Sequence, residues 1–101
     1  MADKAIDLFK KEEYDLAVEY SRKALSRIHR WDSAYSAFRK IWIYCVVGKG
    51  INYNVKGLFD DSRKLLEEAI SLIGSSEDLF LREQLAHCYA TLGLGYLQLG
   101  V

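Results

Sequence analysis

Apolar side chains recur at three- and four-residue spacing through most of the chain, with polar ones between them, which is the period of an amphipathic helix. Ala5, Ile6, Leu8 and Phe9 form one stripe and predict a short helix over about residues 4–11, with Asp3 placed to cap it. After a turn at Lys11–Glu13, the stripe Leu16, Ala17, Tyr20, Ala24, Leu25 and Ile28 predicts a second helix over 14–29. Asp32 and Ser33 cap the next, over 33–47, which from Ile41 onward is apolar nearly all round and must be enclosed by its neighbours. It is the expected central helix. The segment Gly48–Gly57, with three glycines and two asparagines, reads as a loop. A fourth helix over 59–73 starts at Asp60 or Asp61, gathers Leu58, Leu65, Leu66, Ala69, Ile70 and Ile73 on one face, and ends on Gly74. Ser75 with Asp78 resembles a capping box for a fifth over 77–99, whose C-terminal stretch CYATLGLGYLQLGV has Gln98 as its only strongly polar side chain.

A chain of 101 residues that is 50% hydrophobic can build one core and hardly two, so a single domain over 1–101 is expected. Fourteen basic and fourteen acidic residues leave no net charge to gather nucleic acid or an anionic membrane, so neither is an expected partner. Residues 1–50 nevertheless carry ten Lys/Arg against seven acids, and residues 51–101 four against seven. Charged residues interrupt every apolar run at the N-terminus, excluding a signal peptide or spanning helix there and predicting a cytoplasmic protein. Cys45 and Cys88 make no CxxC pair, and no metal or cofactor spacing occurs; reduced, buried thiols are expected.

Self-similarity changes the picture. AIDLFKKEEYDLAVEYSRKAL, from Ala5 to Leu25, resembles the end of the first helix and all of the second helix of a tetratricopeptide repeat, with Tyr14, Ala17, Ala24 and Leu25 carrying the match. GLFDDSRKLLEEAI resembles the same second helix through Gly57, Phe59 and Ala69, with Ser62 where the small Ala is usual. YATLGLGYLQLG resembles the family's first helix through Tyr89, Leu92, Gly93, Tyr96 and Gly100. The chain departs from the family in its extra residues between Gly48 and Gly57, in having no proline after either second helix, and in a third unit that stops before its second helix.

The resemblance implies an all-α fold, a five-helix antiparallel array of helical hairpins forming a right-handed superhelical segment of about two and a half repeats. It implies an adaptor or scaffold that binds a peptide or helix of another protein. Projecting the family pattern puts Ile6, Phe9, Tyr35, Phe38, Trp42, His87, Leu94 and Gln98 on an apolar, aromatic groove. Members that clamp a C-terminal carboxylate use Lys, Asn and Arg where this chain has Ala2, Ile6, Trp42, Ala90 and Leu94, so that ligand is not implied. The missing half-repeat leaves Leu94, Tyr96, Leu97 and Leu99 to be covered, by a second copy of the chain packed through Gly93 and Gly100 or by a longer parent chain.

Arg22, Lys23, Arg27, His29 and Arg30 would form a basic ridge on the second helix, suited to phosphate or an acidic partner or simply to water. The alternative function comes from Arg82 with His87, and Arg22 with His29, which fit the loose Arg-x(4–6)-His pattern of HEPN-domain ribonucleases, helical dimers that act on RNA. Histidine exchanges protons near neutral pH and arginine stabilises phosphorane charge. His87 beside Cys88 is no nucleophile and base, since adjacent helical residues point about 100° apart.

Overall fold

The computed structural model describes the backbone of residues 2–98 and the side chains at 4 and 6–93. It is all-helical among those residues: α1 (Ala2–Lys10), α2 (Tyr14–Ser26), α3 (Ser33–Val55), α4 (Phe59–Ile73) and α5 (Leu79–Gln98).

The helix ends follow from local chemistry. Glu12 sits at φ 61°, in left-handed backbone that glycine usually occupies. It turns the chain so that the Glu12 and Glu13 N–H groups donate to the Phe9 and Leu8 carbonyls left open at the end of α1. Tight bonds from Arg27 and Ile28 N–H to the Ala24 and Leu25 carbonyls stop α2 at Ser26, one turn short of the expected His29. Asp32 caps α3 as expected, its carboxylate accepting from Ala34 N–H at 2.8 Å. Asp60 and Asp61 lie in the first turn of α4 rather than at its cap, where their charge favours the helix N-terminus. Gly74, at φ 57°, ends α4 with its N–H on the Ile70 carbonyl. Helix α5 opens later than expected because Asp78 itself is the cap: its carboxylate accepts from Leu81 N–H at 3.0 Å, and Ser76 Oγ accepts from Asp78 N–H.

The loop expected over Gly48–Gly57 is helix instead, as far as Val55. Gly48 and Gly50 are close-packing positions. A Cβ on Gly48 would lie 2.0 Å from Phe9 Cε2, and one on Gly50 would lie 2.7 Å from Leu66 Cδ2, so α1 and α4 each press a side chain against the bare backbone of α3. Only Gly57 acts as a terminator: at φ 83° it lets its own N–H reach the Asn54 carbonyl and Leu58 N–H reach that of Tyr53.

Helix α3 touches all four others; beyond that, α1 meets only α2, and α5 meets only α4. No helix therefore packs beyond its next two neighbours along the chain, in a body of 45 × 30 × 17 Å. The core lies between α3, α4 and α5, where Ile43, Val47, Leu66, Ala69 and Cys88 are almost entirely enclosed. Buried Ser62 of α4 donates to the Gly50 carbonyl at 2.7 Å, so its hydroxyl is satisfied at the closest approach of the two helices. On the α2 side, Ala17, Ser21, Ala24 and Leu25 make the buried stripe, all but the last small enough for close approach.

Two glycine substitutions should act in opposite directions. Alanine is favoured over glycine inside a helix by about 1 kcal/mol, so Gly93→Ala, with nothing among the described residues within 4 Å of the added methyl, gains up to about that much. Gly50→Ala drives a methyl into Leu66, which is wholly buried and cannot give, and overpacking of about 1–3 kcal/mol outweighs the gain. Urea denaturation should rank the proteins Gly93→Ala, unmodified, Gly50→Ala.

Candidate functional site

The first, third and fifth helices share one face of the molecule and enclose a concavity between them. Along α3, Ala37, Ile41, Tyr44, Gly48 and Ile51 follow three- and four-residue spacing, so they form one stripe about 20 Å long at 1.5 Å per residue. Helix α1 contributes Ile6 and Phe9; α5 contributes Phe80, Glu83, Gln84 and His87.

Three adjoining hollows run along the stripe. The first, of about 480 Å³, lies by Ser33, Ser36, Lys40 and Phe80 at the start of α3. The middle one, about 340 Å³, is walled by Ile6, Ile41, Tyr44 and Phe80 and is almost wholly apolar. The third, about 280 Å³, lies between Phe9, Gly48, Ile51, Glu83 and His87. Ile41 and Phe80 are common to the first two, and Tyr44 joins the second to the third.

The floor is a run of aromatic rings. Phe9 meets Tyr44 at 4.7 Å and Tyr44 meets Phe80 at 5.9 Å, within the range of favourable ring pairs, while Tyr14 of α2, which lines none of the three hollows, backs Phe9 edge-on at 5.1 Å. The seat of Phe9 against α3 exists because residue 48 has no side chain.

Charge is confined to the two ends. At the first, Lys40 pairs with Asp78, whose carboxyl is held below its ordinary range by that lysine and by Leu81 N–H. At the other, His87 Nε2 stands 3.7 Å from Glu83 Oε1. Farther along α3, Lys49 meets Asp15 of α2 at 3.0 Å, and Tyr53 donates to the same carboxylate. The Lys49 hydrogen bond holds the Asp15 carboxyl low; burial works against the Lys49 charge, but Asp15 outweighs it and the ammonium titrates above its ordinary value.

Of the groove residues expected from the sequence, Ile6, Phe9 and His87 come together here. Tyr35, Phe38 and Trp42 are half-buried elsewhere on α3; Trp42 packs against the core, and among the described residues its Nε1 has no hydrogen-bond partner. Leu94 and Gln98, together with Tyr96, Leu97 and Leu99, lie outside the described side chains. Ile41, Tyr44 and Phe80 were not anticipated. For Ile41 and Tyr44 the signal is the α3 stripe continuing through Gly48 to Ile51, which a loop over Gly48–Gly57 hides; Phe80 lies on α5.

The other candidate clusters are dispersed. Arg22 and Lys23 both pair with Glu19 on α2, while Arg27, His29 and Arg30 lie past its end, so no single basic ridge forms. Arg82 is exposed and does not line the hollow that His87 borders; five helical residues apart, the two point about 140° away from each other. Among the described residues, no three His, Cys, Asp or Glu side chains gather as a metal site, and no helix is long and apolar enough to cross a membrane. Compared with family models, curated proteins and solved structures, the chain matches none.

Cys45 and Cys88 are fully enclosed, and burial pushes both thiols up to about 11. Both should therefore resist a thiol reagent at pH 8 in the native chain and react at once in urea, a two-thiol difference read by absorbance. Folding holds their protons, so this contribution to stability is whole below the unfolded thiol range and falls as pH rises from about 9 towards 11.

Proposed function

We propose that the chain is a protein-interaction module of the tetratricopeptide-like kind, a right-handed array of two and a half helical pairs, that holds a peptide or helix of a partner in the concavity of α1, α3 and α5. The observation that carries this reading is that the first helix of each pair, and no second helix, lines the three hollows. The contact order supports it too, since helices that meet none beyond their next two neighbours build a one-dimensional stack rather than a closed bundle.

In this reading the middle hollow is the anchor pocket. Its roughly 340 Å³ falls at the lower end of the size usual for ligand pockets, suited to one or two large apolar side chains, and its Ile6, Ile41, Tyr44 and Phe80 walls recognise shape rather than charge. The outer hollows take the flanking residues, with Lys40 and Asp78 at one end and Glu83 and His87 at the other setting direction. A chain that does no more than this serves as a scaffold or adaptor.

Peptide selection tests this with the whole chain as bait. Peptides recovered from a random displayed library should share spaced apolar anchors. A synthetic copy of the consensus should lose at least about 30-fold in affinity for Phe80→Ala, and similarly for Tyr44→Ala, in proteins whose helical circular dichroism is unchanged. Selection that yields no consensus, or a peptide indifferent to Phe80→Ala, refutes the reading.

A further inference from the structure

We propose that the turn between α2 and α3 is a second binding site, for single-stranded nucleic acid, in which a base stacks on the open face of Trp31 while neighbouring phosphates meet Arg27 and Arg30. This site is separate from the concavity and is built by one turn.

The backbone there is anchored at both ends. Half-buried Ile28 follows the last turn of α2, and its N–H bonds the Leu25 carbonyl. Asp32 N–H donates to the His29 carbonyl at 3.0 Å, closing the four-residue turn His29–Asp32, and the Asp32 carboxylate is engaged by Ala34 N–H. Within this turn the His29 and Trp31 rings lie parallel, 4.9 Å apart and tilted by only 10°. One face of the indole is thus covered and the other is free. At 85% exposure Trp31 is the most open large apolar side chain among the described residues, which leaves a flat aromatic surface presented to solvent.

Apart from Asp32, whose carboxylate accepts from Ala34 N–H, the charge along this stretch is positive. Between Glu19 and Asp32 the chain has four Lys/Arg side chains and no carboxylate. Glu19 pairs with both Arg22 and Lys23, but Arg27 and Arg30 are exposed and, among the described residues, pair with no acid. A flat aromatic face, with guanidinium side chains one and four residues before it in the chain, is the chemical complement of a base joined to phosphate. Stacking of this kind tolerates any base, while a duplex hides its base faces. The neutral whole chain supplies no long-range field, so the contact is short and weak, engaging about two phosphates.

The probe is a fluorescently labelled octathymidylate at low salt, followed by its anisotropy with the whole chain and by Trp31 emission in a Trp42→Phe background. Saturable binding with quenching of Trp31 is expected, its logarithmic salt slope about −1.4 for two phosphates on a single strand. Trp31→Ala should weaken binding about 5- to 150-fold at an unchanged salt slope. Arg27→Gln and Arg30→Gln should each flatten the slope by about 0.7 and retain the quenching. All three positions are exposed, and circular dichroism checks that each variant folds. No saturable binding at millimolar protein, or equal affinity for Trp31→Ala, overturns the proposal. So does displacement by an octaglutamate peptide as effective as by unlabelled octathymidylate, which would make the turn a contact for an acidic protein instead.

Discussion

Everything in this fold hangs on the absence of two side chains from the middle of α3. Gly48 admits the edge of Phe9 and Gly50 admits Leu66, so α1 and α4 are seated on the same stretch of backbone. Both glycines lie inside a helix, where each costs about 1 kcal/mol relative to alanine. The cost is offset by what the approach allows: Leu66, wholly buried, contributes about 1.5–3 kcal/mol through burial alone, and Ser62 satisfies its hydroxyl on the Gly50 carbonyl. At Gly48 the same device creates the site, because Phe9 drawn onto α3 becomes part of the aromatic floor.

Polar contacts refine what the glycines establish. Lys49 to Asp15 joins α3 to α2, Lys40 to Asp78 joins it to the start of α5, and Arg39 donates to the Leu72 carbonyl near the end of α4. Each is at least partly exposed, so each contributes on the order of 0–1 kcal/mol, too little to build the fold. Their value is geometric. Every one of the three has a partner on α3, so together they limit how its neighbours rotate around it.

Five helices, the turn at Lys11–Glu13 and the Asp32 and Gly74 caps were legible in the sequence because each rests on local chemistry. The central role of α3 was legible from its all-round apolarity. What misled was glycine, which has two uses, left-handed backbone and close approach, that composition alone does not separate. Gly57 serves the first and Gly48 and Gly50 the second, though all three fall within ten residues. Reading them alike ended α3 near Val47 and removed Ile51 from its stripe. The expected groove then centred on Trp42, one residue and 100° from Ile41, which the core takes instead. Phe80 was lost differently: with Asp78 as cap it lies in the first turn of α5, whereas a start near Glu77 left its facing undetermined.

The contact order has a mechanical consequence for the concavity. Helices α1 and α5 form its two walls, yet they do not touch; each is located only through α3, with α2 supporting the one and α4 the other. The aromatic floor spans the gap by Phe9, Tyr44 and Phe80 in turn, with the central ring on α3. The groove's width is therefore set by two docking angles rather than by a direct wall-to-wall contact; of the two, that of α1 can change without opening the core between α3, α4 and α5, to which α5 contributes Leu81 and Cys88. An occupant in the middle hollow would touch Ile6 on one wall and Phe80 on the other, and so join two helices that have no direct contact among the described residues. Its binding energy would add to the stability of the docked state of α1, the helix with the fewest residues and only α2 and α3 to hold it. Binding at the proposed site and the docking of the first helix would therefore be linked.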